Sequence, residues 1–144
     1  MSNSMNLETL ESRRMLSVSV SNGIVRVRGT EQPDDIQIRQ DLRNIYITDN
    51  GVKNTLAKSR VSRIIVDTLG GDDIVQASQQ VTRRMLVRAG QGADSVTGGA
   101  ANDQIFGGDN DDLLRGGGGK DKLWGERGDD VVQGNADNDS LWGG

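Results

Sequence analysis

The sequence contains no cysteine and no histidine, and aromatic residues make up only 3% of it. These absences exclude disulfide bonds, zinc sites with thiolate or imidazole ligands, cysteine nucleophiles and Ser-His-Asp triads. Apolar residues account for 33% of the chain, less than the ~45–50% of an ordinary globular domain. The 144 residues are therefore expected to form a single non-enzymatic module whose small core needs an additional source of stabilisation.

Long apolar stretches are also missing. No run approaches the ~18 apolar residues of a membrane-spanning helix. The first residues, Met1–Val20, lack the apolar segment of a secretory signal peptide. We expect no membrane insertion from this chain.

Glycine is abundant and unevenly distributed. Fifteen of the 20 glycines lie in residues 89–144, which carry a net charge of −7, whereas residues 1–88 carry +3. An acidic, glycine-rich segment repels nucleic acid, and it repels itself unless cations neutralise it. The charge distribution therefore predicts a bound cation and no nucleic-acid partner.

A period of nine residues runs through the acidic segment. Glycine opens the units, aspartate is the sixth residue and an aliphatic residue is the eighth. The glycines are Gly98, Gly107, Gly116, Gly125, Gly134 and Gly143. The aspartates are Asp94, Asp103, Asp112, Asp121, Asp130 and Asp139. The aliphatic residues are Val96, Ile105, Leu114, Leu123, Val132 and Leu141.

Each position of the unit has a physical reason. Glycine permits a positive φ where a six-residue turn reverses the chain. At the fourth position Asn110 and Asp137 replace glycine and tolerate the left-handed region, which Ala101 does less well. The last three residues are predicted to form a short strand with the aliphatic side chain inward. The six aliphatic residues are predicted to be the whole core of this segment.

The units resemble the glycine- and aspartate-rich nonapeptide GGxGxDx(aliphatic)x of RTX proteins over residues 89–142. The resemblance implies a parallel β-roll in which two nonapeptides form one coil and Ca²⁺ lies between stacked turns. It implies metal ligands in two columns, with up to four sites between coils and further sites only with an outside partner. One column is Asp94, Asp112 and Asp130, and the other is Asp103, Asp121 and Asp139.

The residue chemistry agrees with calcium. Ca²⁺ takes about six to eight oxygen ligands from carboxylates and backbone carbonyls. Carboxylates stacked at a strand spacing of roughly 4.8 Å repel one another, and a divalent ion between them converts this cost into cohesion. The alternative is an ion-free solenoid whose aspartates hydrogen-bond to their own turns; the net charge of −7 disfavours it.

Residues 16–88 read as β-strands without helical periodicity. Asn50-Gly51 predicts a hairpin. Gly71–Val75 and, more faintly, Gly29–Ile36 resemble degenerate repeats, and the step from Asp73 to Asp94 equals one coil plus a three-residue insertion. The predicted strands are Leu16–Val20, Ile24–Arg28, Ile36–Arg39, Ile45–Thr48, Val52–Ala57, Val61–Val66, Ile74–Gln76 and Val81–Arg88.

These patterns predict an all-β fold, a right-handed parallel β-roll or β-helix solenoid with irregular N-terminal coils and a cap. Residues 1–15 are expected to be a flexible tail, 16–88 the irregular coils and cap, and 89–144 the nonapeptide roll. Two interpretations of Leu10–Leu16 stay open, a surface tail or a leader-like stretch resembling one seen in some large secreted bacterial repeat proteins. The arginines before residue 89 are interpreted as a solvated face that protects strand edges, with an anion site as the alternative.

Three of the four aromatic residues, Phe106, Trp124 and Trp142, occupy the ninth position of alternate units. They are predicted to align on one face, opposite Thr97, Arg115 and Gln133. One interpretation is a stacked ladder that stiffens the sheet. The other is an exposed strip that binds sugar rings or a protein.

Two functional hypotheses follow. The first is a secreted or cell-surface, calcium-dependent β-roll module acting as a structural or adhesive element. The second is an accessory, non-catalytic module of a secreted polysaccharide-modifying enzyme or protease. Because the sequence stops inside a repeat, we expect a fragment of a longer protein, another export route, or end-to-end association through the last strand.

Overall fold

The computed structural model describes residues 16–144, and these form an all-β fold of two seven-stranded sheets. The tail predicted at 1–15 and all but the last residue of the leader-like stretch lie outside the described residues. One short 3-10 turn, Lys58–Arg60, separates β5 from β6. Within the described chain, no helix has the length and apolar character to cross a membrane.

The strands confirm the sequence prediction for the first half to within a few residues at each end. They are β1 Ser17–Ser21, β2 Ile24–Arg28, β3 Asp35–Gln40, β4 Asn44–Asp49, β5 Val52–Ala57, β6 Arg63–Asp67, β7 Ile74–Ala77, β8 Arg84–Gln91, β9 Ser95–Thr97, β10 Gln104–Asp109, β11 Leu113–Gly117, β12 Lys122–Arg127, β13 Val131–Asn135 and β14 Ser140–Trp142.

From β6 onward the chain alternates between the two sheets, so each pair of strands completes one coil of a parallel solenoid. The first sheet has the order β1-β2-β6-β8-β10-β12-β14, and the second has the order β13-β11-β9-β7-β3-β4-β5. All pairings are parallel except β1 with β2, β3 with β4, and β4 with β5. The predicted parallel solenoid is therefore confirmed.

The pairing register gives the length of each coil. In the repeat segment Gln104 pairs with Lys122 and Leu113 with Val131, an offset of 18 residues. One coil earlier Ile74 pairs with Ser95, an offset of 21 residues, which confirms the predicted three-residue insertion. The extra residues lie in the loop that joins β7 to β8.

The N-terminal coils carry a larger insertion. Asp35 pairs with Ile74 at an offset of 39 residues, because β4 and β5 are added to the second sheet as an antiparallel hairpin. Asn50 (φ 42°) and Gly51 (φ 89°) form the turn of this hairpin, as the sequence predicts. The hairpin covers one end of the second sheet, and β1 covers the same end of the first.

The core differs from the sequence prediction in extent. Val96, Ile105, Leu114 and Leu123 are fully buried, but Val132 is only partly buried and Leu141 is 46% exposed. The prediction that six aliphatic residues form the whole core is wrong at this end, because no coil of the described structure covers Val132 and Leu141. The core instead continues without a break into the first half, through Val87, Val75, Ile64, Ile36 and Val25.

In the repeat segment β9 and β14 have the predicted three residues, whereas β10 to β13 are longer. β10 and β12 each contain six residues and continue through the first glycine of the next unit. The residues that follow the first glycine pair in register with the neighbouring coils, since Gly108 lies opposite Gly90 and Glu126. Backbone pairing between identical coils therefore extends the strands into the sequence assigned to the turns.

Candidate metal centre

The aspartates at the sixth position lie in two columns, one on each side of the solenoid, which are buried except at the half-buried Asp130 and Asp139. On one side Asp112 Oδ1 accepts a hydrogen bond from the Asp94 N–H (2.8 Å), and Asp130 Oδ1 accepts one from the Asp112 N–H (2.9 Å). On the other side Asp121 and Asp139 accept from the N–H groups of Asp103 and Asp121, at 2.7 and 2.8 Å. One carboxylate oxygen of each of these residues thus joins two successive coils.

The second carboxylate oxygen is left free at most of these positions. Asp94, Asp112 and Asp121 are at most 2% exposed. Their Oδ2 atoms, and that of Asp130, are buried without a hydrogen-bond partner. An unpaired buried carboxylate oxygen is costly. These oxygens are therefore candidate metal ligands.

Asp103 is the exception among the buried aspartates. Its Oδ1 accepts from the Met85 N–H and its Oδ2 from the Gly99 N–H, both at 2.8 Å. The turn that precedes it abuts the inserted loop, where the Val81 carbonyl accepts from the Ala100 N–H at 2.8 Å. Both oxygens of Asp103 are therefore already used by the backbone.

The first glycine of a unit brings backbone oxygen close to the free carboxylate oxygen. A Cβ added to Gly116 would overlap Asp121 Oδ2 and lie 2.7 Å from the carbonyl oxygen of Gly134, one coil further on. Gly107 has the same relation to Asp112 Oδ2 and to the Gly125 carbonyl, also at 2.7 Å. Only a glycine leaves this space open, so carboxylate and carbonyl oxygens face a common cradle.

The backbone conformation of the turns follows the repeat. At the fourth position Gly92, Gly119 and Gly128 have positive φ, as do Asn110 (φ 82°) and Asp137 (φ 76°). This confirms that asparagine and aspartate replace glycine there. Ala101 does not have a positive φ, so the turn that contains it differs from the others, as its sequence predicts.

Burial and mutual repulsion raise the pKa values of the aspartates in the columns. Burial raises the pKa of Asp94 and Asp103 to about 7 and that of Asp112 and Asp121 to about 6, against the opposing effect of their backbone hydrogen bonds. Neighbouring carboxylates add to the rise at each position. A cation between successive turns removes both costs, because it supplies the missing charge and partner.

The donor set fits a hard cation. In the described residues no group of three or more acidic side chains forms a compact metal site, so the ligands must combine carboxylates with backbone carbonyls. Ca²⁺ accepts such a set, whereas Zn²⁺ prefers cysteine and histidine. When bound, Ca²⁺ would supply a compensating charge shared by two coils.

Two further aspartates extend one column into the first half. Asp73 Oδ1 accepts from the Asp34 N–H, and Asp94 Oδ1 accepts from the Asp73 N–H, both at 2.8 Å. The fragments Gly71–Val75 and Gly29–Ile36 were the sequence signal for these coils. The position of the first glycine is Gly29 in the unit of Asp34, but it is Thr68 in that of Asp73 and Ala89 in that of Asp94, and these two are fully buried.

The aromatic residues align as the sequence predicts. The rings of Phe106 and Trp124 stack at 4.4 Å with an interplanar angle of 2°, and those of Trp124 and Trp142 at 4.7 Å and 5°. Trp142 is 46% exposed. On the other sheet Arg115 lies between Thr97 and Gln133, and its Nε donates to Gln133 Oε1 at 3.2 Å. The outer faces of the two sheets are therefore chemically different.

The fold and the columns define a parallel β-solenoid with cation-binding turns. The family model of the RTX calcium-binding nonapeptide repeat matches four copies, over residues 88–123 and 115–144. No curated protein and no solved structure matches the chain. Residues 88–144 are therefore RTX nonapeptide repeats, and the ion that these repeats bind is Ca²⁺.

Proposed function

We propose that this protein is a secreted or cell-surface β-roll module that folds on binding calcium and serves as a structural or adhesive element. The observation that carries the proposal is the row of buried carboxylate oxygens without partners at Asp94, Asp112, Asp121 and Asp130. Such a row is unfavourable without a cation. Calcium binding therefore contributes directly to the stability of the fold.

The compartment follows from the calcium concentration. Extracellular calcium modules have dissociation constants of about 10⁻⁴–10⁻³ M. Sites of that affinity are empty in the cytosol and filled outside the cell, and the bound ions stabilise the native state by mass action. Export would thus convert a weakly structured chain into a rigid solenoid.

The metal ligands in this proposal are the six aspartates at the sixth position of the units, together with backbone carbonyls. Asp112 and Asp121 are central, since each has a coil of the repeat on both sides. Asp103 is included because it occupies the same position of its turn, although both of its carboxylate oxygens accept backbone N–H groups. The ligands are Asp94, Asp103, Asp112, Asp121, Asp130 and Asp139.

The aromatic row supplies a recognition surface. The flat faces of Phe106, Trp124 and Trp142 stack on one another, so the row presents apolar ring edges along the outside of the first sheet. A glycan or a protein partner would bind there. The same surface supports the alternative function, in which the module holds a polysaccharide for a secreted enzyme to which it is attached.

The last coil supports end-to-end self-association. Among the strands of residues 16–144, β14 pairs only with β12 and β13 pairs only with β11. Leu141 and Trp142 on β14 are each 46% exposed. An unpaired strand edge with exposed apolar side chains associates readily with another strand.

A calcium titration followed by far-UV circular dichroism tests the main proposal. We expect a cooperative gain of β-structure with Ca²⁺ and none with equal Mg²⁺, because Mg²⁺ demands a regular octahedral site and sheds its water reluctantly. Isothermal calorimetry should show heat of binding over the same range. Identical spectra with chelator and with calcium, and no heat of binding, would refute the proposal.

A further inference from the structure

A groove on the first sheet, where its strands begin, is lined by four basic residues. Arg63 begins β6, Arg84 begins β8 and Lys122 begins β12, while Lys120 lies in the turn before β12. Asn102 and Gln104 add polar groups to the lining. The groove crosses several coils at right angles to the strands, so a ligand in it would be elongated.

The charge of this groove is not neutralised within the described structure. The ion pairs among residues 16–144 are Arg88 with Asp67 and Arg127 with Asp109, and they include none of the four cations. The acidic residue in the groove wall, Asp103, is 1% exposed, and its two oxygens accept backbone N–H groups. The groove is therefore a concentration of positive charge that extends from the basic first half into the acidic repeat segment.

The arrangement of the cations has a cost that the fold does not explain. Arg63 lies directly opposite Arg84 on the neighbouring strand, and like charges in that position destabilise a sheet. On the following coils Asn102 Oδ1 accepts from the Lys120 N–H at 2.9 Å, which keeps Lys120 in line with them. Successive coils are roughly 4.8 Å apart. An anionic chain along this line would remove the repulsion.

The groove lies beside the aromatic row. Gln104 and Lys122 precede Phe106 and Trp124 by two residues on β10 and β12, so both pairs face outward from the same side of the sheet. Two residues along a strand cover about 7 Å. A sugar lying against the ring edges of the aromatic row would thus place an acidic substituent near Lys122 and its neighbours.

We propose that this groove binds an acidic glycan, a polysaccharide that carries carboxylate or sulfate groups. The inference deepens the proposed recognition role by naming the class of ligand. Residues 89–144 carry a net charge of −7, so a nucleic acid or an anionic bilayer, which covers a broad surface, would meet repulsion around the groove. A single glycan chain fits within the basic line, where the carboxylate of Asp103 is buried in the groove wall.

Calorimetry with the calcium-saturated full chain tests the proposal. The probes are oligogalacturonates, which carry carboxylates, and heparin-derived oligosaccharides, which carry sulfates, with dextran as the neutral control. The variant R63Q/R84Q should bind the preferred acidic probe roughly tenfold more weakly, since two charge-assisted contacts are lost. The variant R39Q removes a positive charge from β3 on the second sheet and should bind as the parent does.

A second variant distinguishes a loss of binding from a loss of the fold. Lys122→Gln replaces an exposed side chain and should weaken the same probe severalfold, while its calcium titration matches that of the parent. Affinity that is unchanged in R63Q/R84Q and in Lys122→Gln would overturn the proposal. So would equal loss in R39Q, or binding of dextran as strong as that of the acidic probes.

Two further probes separate other ligand classes. Single-stranded DNA and vesicles of phosphatidylserine and phosphatidylcholine should bind more weakly than the acidic oligosaccharides. If either bound more tightly, with the same sensitivity to R63Q/R84Q, the acidic-glycan proposal would be wrong. The calcium titration of the parent stays a separate readout, because failure to fold with calcium refutes the proposed function and leaves the charge test of the groove intact.

Discussion

The two carboxylate oxygens of Asp112 and of Asp121 have different roles. In Asp112 and Asp121, Oδ1 accepts a backbone N–H from the preceding coil, and Oδ2 is buried without a partner. The first interaction requires no metal and sets the register between coils. The second oxygen is where a cation changes the stability, so a single side chain links the fold of the coil to calcium.

Position along the columns predicts the cost of losing a carboxylate. Asp112→Ala and Asp121→Ala should raise the calcium concentration at the folding midpoint by about tenfold or more, because each residue contributes to sites above and below it. Asp94→Ala and Asp139→Ala, at the ends of the repeat columns, should have smaller effects. Circular dichroism across a calcium titration provides the measurement, and equal losses at all six positions would contradict stacking between alternate units.

The first glycine of a unit is predicted to be as important as the aspartate. In Gly116→Ala the new Cβ would overlap Asp121 Oδ2 and crowd the Gly134 carbonyl, so calcium affinity should fall severalfold or more. Gly118→Ala is a matched control, because the nearest atom to its Cβ is 3.5 Å away and its φ is not positive. Comparable calcium midpoints for the two variants would show that the cradle takes no part in binding.

The turns are equivalent in sequence but not in structure. In the second unit neither Gly99 nor Ala101 has a positive φ, whereas in the third unit both Gly108 and Asn110 do. The difference arises because one side of the turn at 98–103 packs against the inserted loop, through Val81, whereas a nonapeptide turn lies only on its other side. The neighbouring element, as well as the repeat, therefore decides the conformation of a turn.

The aromatic row connects three strands of the first sheet without forming part of the core. Trp124→Ala should leave calcium-induced folding nearly intact, since it removes two stacking contacts worth on the order of 1 kcal/mol each. It should weaken glycan binding or self-association more clearly, because the central ring of a recognition surface contributes most. Circular dichroism, glycan binding and sedimentation together measure these effects.

Gln133→Ala is the control for that experiment, since Gln133 occupies the equivalent outward position on the second sheet. It should affect neither folding nor recognition. If Trp124→Ala instead raised the calcium requirement sharply and left binding and sedimentation unchanged, the aromatic row would be purely structural.

At the scale of the whole molecule, proton binding and calcium binding involve the same buried carboxylates. The pKa is raised by burial to about 7 at Asp94 and Asp103 and to about 6 at Asp73, Asp112 and Asp121, compared with about 3.9 in an unfolded chain. Protonation therefore stabilises the calcium-free fold. That contribution is complete below a pH of about 4 and is lost as the pH rises through 6 to 7.

Calcium requires the ionised carboxylates, so its effect has the opposite dependence on pH. The increase in Tm caused by calcium should be larger at a pH of about 8 than at about 5.5. Thermal unfolding with calcium and with chelator at both pH values checks this prediction. An increase that is the same at both would contradict a buried, ionised ligand set.

Several features could be predicted from residues alone. The nine-residue period placed Asp94 with Asp112 and Phe106 with Trp124, because each step of two units returns the chain to the same face of a parallel coil. The hairpin at Asn50-Gly51 and the insertion after Asp73 followed in the same way from local turn chemistry and from counting. These features depend on short-range geometry and on a repeat that leaves one way to stack.

Other features were decided by packing between distant segments. The use of both Asp103 oxygens by the backbone depends on Met85 and Gly99, and the exposure of Leu141 depends on the absence of a covering coil in the structure. The basic groove brings Arg63 into line with Lys120, three coils further along the solenoid, although 57 positions separate them in the chain. The repeat specified how each coil stacks on the next, whereas contacts with irregular coils determined which carboxylates stay free and which cations meet, because those contacts have no period in the sequence.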